Sequence, residues 1–462
     1  MKSQIRDFTK GNIAKQLIVF SAPLFLSNLM QVVYNMADML IVGQVHGKVG
    51  ISAVSVGGDL CNLLTFIAIG FSNAGQVLVA KYIGAGQKDK LGRFTGTMCS
   101  FLLSSAVIIS FFSIVFQDAL LKFMQTPDAA YKDAAEYSLI CMIGLVFIYG
   151  YNMVSAVLRG MGDSKHPFIF VSLAAVLNII LDIIFVMWLG IGAKGAALAT
   201  VISQGASFLI CAVFLFRKRK EFELSAKVRD FIIPDKAMLS SLIKLGIPMA
   251  IKMASVQISK LFVNSQINAY GVEVSAFAGI ANKISSISNL ISAAMNTAGS
   301  TMVGQNISAG KEDRVKDILK ALSVITLAVS TVMTLGFYIF QNEIIGFFAD
   351  GDTSVIAVGE HFFIIALLLF YASAMRAIMN ALLNGSGNTK VNFATAVFDG
   401  IVMRFGLAIL FGMVLKMEYY GFWLGDALAG FTPFVIGVVF YVTGWWKKNM
   451  PSPAQQTVKD SI

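Results

Sequence analysis

The stretch Leu158-Arg159-Gly160-Met161-Gly162-Asp163-Ser164-Lys165 returns as Leu383-Asn384-Gly385-Ser386-Gly387-Asn388-Thr389-Lys390, about 225 residues later. The same register holds across most of the chain. Ala80-Lys81-Tyr82-Ile83-Gly84-Ala85-Gly86-Gln87-Lys88-Asp89 answers to Gly304-Gln305-Asn306-Ile307-Ser308-Ala309-Gly310-Lys311-Glu312-Asp313. Ile51-Ser52-Ala53 answers to Val274-Ser275-Ala276, and Ser21-Ala22-Pro23-Leu24 to Gly246-Ile247-Pro248-Met249. One unit is therefore written twice. The glycine pairs look like phosphate cradles only superficially, because neither follows a strand or has Walker spacing; they read as tight turns between helices.

Composition identifies the solvent of each unit. The 462 residues are 56% apolar and 13% charged, against roughly 25% charged in soluble domains. A span takes about 20 largely apolar residues. Twelve such stretches are present, six per half: 16–43, 52–80, 94–116, 134–158, 167–190 and 195–216, then 240–268, 274–303, 318–341, 358–383, 391–415 and 420–446. The expected fold is an all-α integral membrane protein with two pseudo-symmetric six-helix lobes. The first lobe covers 1–216, a polar linker 217–239, the second lobe 240–446 and a tail 447–462. A duplicated bundle with a site in or between its halves is a common plan for secondary transporters.

The formal charge of +10 would suggest nucleic acid in a soluble chain, but its placement argues otherwise. Of 36 Lys and Arg, 26 fall on one side of the predicted bundle and only five (Lys48, Lys122, Lys132, Lys194, Lys416) on the other. Positive residues accumulate on the cytoplasmic side, so both termini are expected in the cytoplasm and the protein in the cell membrane. The run Arg217-Lys218-Arg219-Lys220 then flanks the membrane. Residues 1–15 are basic and polar, with no small-residue cleavage site before helix 1, so no cleaved signal is expected. Cys61, Cys99, Cys141 and Cys211 sit in apolar stretches without paired spacing and read as small core residues. His46, His166 and His361 make no cluster.

An ionisable group at bilayer depth costs at least ~2.5–3.5 kcal/mol and is a functional candidate by default. There are ten: Asp38, Asp59, Asp182, Lys252, Lys260, Lys283, Arg376, Asp399, Arg404 and Asp426. The first half holds three acids and no base, the second five bases and two acids. Asp38 ends Tyr34-Asn35-Met36-Ala37-Asp38 on helix 1. Asn178 and Asp182, four apart on helix 5, share a face. Helix 6 adds Thr200 and Gln204; helix 4 adds Tyr137, Asn152 and Ser155. No base in this half can neutralise Asp38 and Asp182. A proton, a bound cation or a cationic substrate must do so. A low dielectric favours the uncharged form of an acid, and Asp, Asn and Thr oxygens equally suit a hard cation such as sodium. Interhelical hydrogen bonding is the plainer reading for Asn178 taken alone.

With these residues in view, the chain resembles the multidrug and toxic compound extrusion (MATE) family, within the superfamily that also holds lipid-linked oligosaccharide flippases. The resemblance spans the whole chain, and in the first lobe the chain resembles the DinF-like branch. It implies a cation-coupling site at Asp38, Asn178, Asp182 and Thr200, with H+ or Na+ as the coupling ion. It also implies a substrate pocket drawing on Gln31, Asn35, Tyr137, Asn152, Ser155 and Gln204. Family members are antiporters that expel organic cations against a proton or sodium gradient, and that is the function expected here. NorM-like relatives carry acids on helices 7 and 10; here those helices hold Lys252, Lys260 and Arg376. That departure argues against a sodium site in the second lobe.

By repeat alignment Asp426 takes the place of Thr200, and Arg404 sits one residue past the counterpart of Asn178. An Arg404–Asp426 or Arg404–Asp399 ion pair would leave Lys252, Lys260 and Arg376 lining a second-lobe cavity, open to an anionic or zwitterionic substrate; snorkelling is the alternative for Lys252. The rival function is accordingly a flippase or exporter of a lipid-linked or anionic substrate. Asp59 aligns within one residue of Lys283, and the two are a candidate outer gate. Pro23 and Pro248 either kink helices 1 and 7 as hinges or mark their first turns. Pro433 is expected to kink helix 12. No enzyme constellation, ATP site, nucleic-acid surface, cofactor or pore-lining charge ring is read. The expected partners are a small-molecule substrate and the lipid bilayer, and the expected state is a monomer.

Overall fold

In a computed structural model, residues 4–451 are described except 125, 226, 350 and 351. The remainder of the expected tail, 452–462, and residues 1–3 of the first lobe lie outside the described residues. Among the described residues there is no strand, as lipid demands: every backbone polar group must be satisfied within its own segment, which helices accomplish.

Among the described residues, ten helices are long and apolar enough to cross a membrane. The first, Ile13–Gly84, is two helices joined at Gly47, whose φ of 59° and ψ of −150° leave the helical region; we number them α1 (13–46) and α2 (48–84). The series continues α3 (Leu91–Val115), α4 (Asp128–Gly160), α5 (Lys165–Trp188), α6 (Ala193–Arg217) and α7 (Lys236–Asn268). The more polar α8 (Val272–Ser308) precedes α9 (Glu312–Phe348), α10 (Phe362–Ser386), α11 (Thr389–Val414) and α12 (Glu418–Val442). These are the twelve membrane helices expected, five of them (α2, α4, α7, α8 and α9) with a turn or more added at an end. Such polar ends do not register in a hydropathy reading.

The duplication is physical. Gly86 and Gly310 both take positive φ, 72° and 74°, to end α2 and α8. Each turn is closed by the same bond, Gln87 N to Tyr82 O and Lys311 N to Asn306 O, both 2.9 Å. Gly160 and Gly385 do equal work in the opening motif. A Cβ on Gly160 would stand 2.7 Å from Gln76 O, and one on Gly385 2.8 Å from Ser300 O. Glycine lets α4 approach the α2 backbone, and α10 the α8 backbone, at the same repeat position.

The chain divides into two compact units. Unit 1 is Ala22–Ala250 with the described residues before Phe8; unit 2 is Phe8–Ser21 with the described residues from Ile251 onward. In unit 1, α4 packs on α3 and α6, and α5 on α6; Tyr149 of α4 donates to Leu64 O of α2 at 2.8 Å. In unit 2 its repeat mate α10 packs on α8, α9 and α12, and Ser292 donates to Ser373 O at 2.6 Å. The first turns of α1 thus pack in unit 2 and those of α7 in unit 1. The handovers, at 21/22 and 250/251, fall within three residues of Pro23 and Pro248. Both prolines lie well inside their helices, at the eleventh and thirteenth positions, not in first turns.

The polar linker is ordered against α3. Its short helix Val228–Ile232 lies where a Cβ on Gly96 would meet Asp230 O at 2.6 Å. Asp235 then opens α7, accepting from Ala237 N at 2.9 Å and Met238 N at 3.0 Å and pairing with Arg93 at 2.9 Å. These bonds to its charged form, the Met238 N–H first, hold the Asp235 carboxyl below the ordinary carboxylate range. Helix 12 departs from expectation. It breaks at Gly430 and Phe431, and Pro433 sits in the first turn of the second piece, Thr432–Val442. The missing proline N–H therefore falls where no helical partner is due.

Candidate functional site

In unit 1 the helical periodicity of α1, α5 and α6 brings four predicted residues together. Asp38, Asn178 and Asp182 are 3%, 1% and 0% exposed, so bulk water does not solvate them. Thr200 donates to Asp38 Oδ2 at 3.3 Å, and Asn178 Nδ2 donates to Thr200 Oγ1 at 3.4 Å. The Asp38 and Asp182 carboxyls lie within hydrogen-bonding reach of each other. Neither oxygen can donate unless one acid holds a proton. As the groups stand, Asp38 Oδ1, both Asp182 oxygens and Asn178 Oδ1 receive no hydrogen bond. Such atoms are costly unless filled. Four unsatisfied oxygens on three side chains suit a shared proton or a hard cation. Immediately past Asp182 the helix widens into a π-turn segment, Ile183–Trp188, a feature frequent at functional sites.

The predicted pocket residues divide around this cluster. Gln204 donates to Tyr34 OH at 3.4 Å, and Tyr34 in turn is within electrostatic range of Asp38. Tyr34 did not figure among the sequence candidates, although it shares the helix face of Asp38, four residues earlier. Tyr137 is buried, within range of Asp38 and beside Cys61 and Cys141. Gln31 is half-buried and Asn35 exposed. Asn152 returns its amide to Ile148 O at 2.9 Å, one turn back. Ser155 is fully buried beside Tyr151 and Cys211.

Unit 2 has the opposite chemistry. Arg404, 1% exposed, takes both acids: it bonds Asp426 and lies 3.5 Å from Asp399. Both ion pairs expected as alternatives are thus present at once. Asp399 stands in another π-turn segment, Phe398–Met403. Lys252 donates to Asn380 Oδ1 and Arg376 to Asn289 Oδ1, each at 2.7 Å. Those asparagines escaped the sequence reading. Yet Asn380 lies one turn beyond Arg376 and takes the repeat place of Ser155, which was a usable signal. Lys260 is half-buried and within electrostatic range of Asp426, Arg404, Arg376 and Asp399.

The proposed gate residues belong to different units. Asp59 is exposed in unit 1; Lys283 is exposed in unit 2, its ammonium 5.1 Å above the Phe348 ring. The four cysteines are free. Among the described residues, no three His, Cys, Asp or Glu side chains gather as a metal cluster.

Comparison with known proteins accounts for both halves. The MatE family model matches residues 23–184 and again 248–410, well over half of the chain. Two curated relatives from Bacillus subtilis (strain 168) are similar nearly end to end. The probable multidrug resistance protein YpnP is 29% identical over 451 residues, covering 96% of this chain and 97% of that protein. The probable multidrug resistance protein YoeA is 27% identical over 446 residues, covering 96% of each. Among solved structures, an outward-facing MATE family transporter of the MOP superfamily superposes with a TM-score of 0.89 at 21% identity. It covers 98% of this chain, which covers all of it. A MATE structure in the bent conformation gives 0.84 at 23%, over 100% and 99% of the two chains. At these identities the structures speak for the fold alone.

Proposed function

The chain belongs to the MatE family, and from that premise we propose that it is a secondary antiporter of the cell membrane, driven by H+ or Na+, that exports organic cations. Membership in that family supports reading it as a multidrug efflux transporter integral to the membrane. The observation that carries the rest is the acid pair of unit 1. Asp38 and Asp182 are buried, with no base among their contacts in the described residues and with oxygens left unsatisfied. A site of that kind binds one positive charge at a time, either a coupling cation or a cationic substrate.

Exchange follows from that competition. With the site facing outward, a proton or sodium ion enters at Asp38 and Asp182, held by their carboxylates with the Asn178 and Thr200 oxygens beside them. Its charge cancels the attraction that retained the organic cation, which leaves. Reorientation returns the site to the cytoplasm, where the ion departs and a new substrate loads. Because each ligand excludes the other, each biases the equilibrium by its differential affinity. Pro23 and Pro248 are suited to the bending step. Each removes a backbone hydrogen bond close to where its helix passes from one unit to the other. In this reading both termini are cytoplasmic and the protein works as a monomer.

Accumulation of ethidium in everted membrane vesicles tests the proposal, with proton and sodium gradients imposed one at a time. Uptake should follow one gradient and vanish in Asp38→Asn at equal membrane abundance. Gradient-driven uptake retained in that variant refutes the role of the pair.

A further inference from the structure

We propose that unit 2 contains an oxyanion-binding subsite, formed by Lys260, Arg376 and Lys252, that receives the carboxylate or phosphate of an organic substrate. The charges at hand lead to it. Arg404 is held by both acids of the unit, Asp426 and Asp399. That triad keeps one negative charge in excess. Against it stand three cations, none of which contacts a carboxylate. Lys252 and Arg376 spend one donor each on neutral amide oxygens, of Asn380 and Asn289. Lys260 has no hydrogen bond or ion pair to any described residue, and feels the acids only at a distance.

Ionic groups within membrane-spanning helices are costly unless neutralised, so this excess calls for a mobile anion. The amide contacts also orient the cations. Asn289 Oδ1 accepts from Arg376 Nη2 and lies 3.4 Å from Ser373 Oγ, which anchors one edge of the guanidinium. The other donors of its fork remain for a two-oxygen ligand, the geometry in which arginine binds carboxylate and phosphate best. Lys260 and Lys252, eight residues apart on α7, add point charges from a second helix. Unit 2 thereby differs from its repeat mate in sign as well as sequence: Arg376 occupies the repeat position of Tyr151, and Asn380 that of Ser155.

The proposal stands beside the coupling reading and does not depend on it. It extends the substrates from simple cations to molecules bearing an oxyanion, whether free organic acids or lipids with phosphate headgroups. Equilibrium binding tests it on the full-length protein in a neutral maltoside detergent, with dansylglycine as the carboxylate probe and its methyl ester as the uncharged match. The wild type should bind the acid at least about tenfold more tightly than the ester, with the preference falling as salt is added. Lys260→Gln and Arg376→Gln should each remove most of it, and Lys260→Arg should keep it. Asp38→Asn should also keep it, so loss of coupled efflux and loss of anion binding are separate results. Competition then names the source. Displacement of the probe by phosphatidylglycerol at low mole fraction assigns the subsite to a lipid phosphate, and its persistence assigns it to a soluble acid. Equal binding of acid and ester by the wild type overturns the proposal. So does a preference that survives in both Lys260→Gln and Arg376→Gln.

Discussion

Replacing Arg404 with methionine tests the electrostatics of unit 2 where the structure is most exacting. The guanidinium is 1% exposed, bonded to Asp426 and 3.5 Å from Asp399, itself 1% exposed. Methionine nearly fills the volume, so little of the effect arises from a cavity. What changes is charge: two acids are left inside the unit with no base in contact. Breaking a buried pair by removing one partner costs about 3–5 kcal/mol. At about 1.4 kcal/mol per decade, the folded-to-unfolded ratio falls by roughly two to four decades. Neutralising the orphaned acids should recover most of that, because replacing a whole buried ion pair by neutral groups is often nearly cost-free. The assay is the apparent melting temperature of purified protein, read by the loss of the monodisperse peak on size-exclusion after heating. Arg404→Met should melt far below the wild type, and Arg404→Met with Asp399→Asn and Asp426→Asn should return close to it. The coupling between the sites is the diagnostic quantity. If Arg404→Met alone melts with the wild type, or if the added Asn substitutions lower stability further, the ion triad is not what holds this part of unit 2.

Two further expectations concern the scaffold. Gly385→Ala drives a methyl against Ser300 O and Val303 and should cost about 1–3 kcal/mol by overpacking, with Gly160→Ala equivalent in unit 1. Gly336→Ala, on an open face of α9, should leave the apparent melting temperature unchanged or raise it, since alanine favours helix; a fall as large as that of Gly385→Ala would contradict the packing. Asp235→Ala removes the cap of α7, a loss of about 1 kcal/mol. Because the folded carboxyl lies below the unfolded one, near 3.9, its contribution is present above the unfolded value and disappears as pH falls through the folded one. Stability measured from pH 6 downward should therefore converge for the wild type and Asp235→Ala in acid; a constant gap between them would show that the cap is not the ionised carboxylate.

What could be seen in the sequence follows from which interactions lipid makes local. The twelve spans were legible because each helix satisfies its own backbone, and the repeat register because Gly86, Gly162, Gly310 and Gly387 recur where the backbone must take positive φ. The acid cluster was legible too, since a buried carboxylate without a base is conspicuous in so apolar a chain. Other contacts escaped because they depend on neighbours distant in sequence. Nothing around Asn289 announces Arg376, 87 residues away, and Tyr34 reads as an ordinary helix aromatic until Gln204 is placed beside it. Pro433 misled for a different reason. Its effect depends on whether the preceding turn is already broken, and the break at Gly430 and Phe431 leaves no trace in hydropathy. The Gly47 joint is similarly silent, as a glycine between two apolar runs reads as any interhelical turn.

In the proposed mechanism the Asp38 and Asp182 pair carries the coupling ion. The most direct measurement is ion movement evoked by substrate in proteoliposomes, with a pH-sensitive or sodium-sensitive dye sealed inside and no gradient imposed at the start. Adding ethidium outside the wild-type liposomes should drive one of the two ions outward as the organic cation enters, and Asp38→Asn liposomes should show no such movement. Ethidium entry with equal ion movement in Asp38→Asn and wild type would contradict the account and place the coupling elsewhere in the chain.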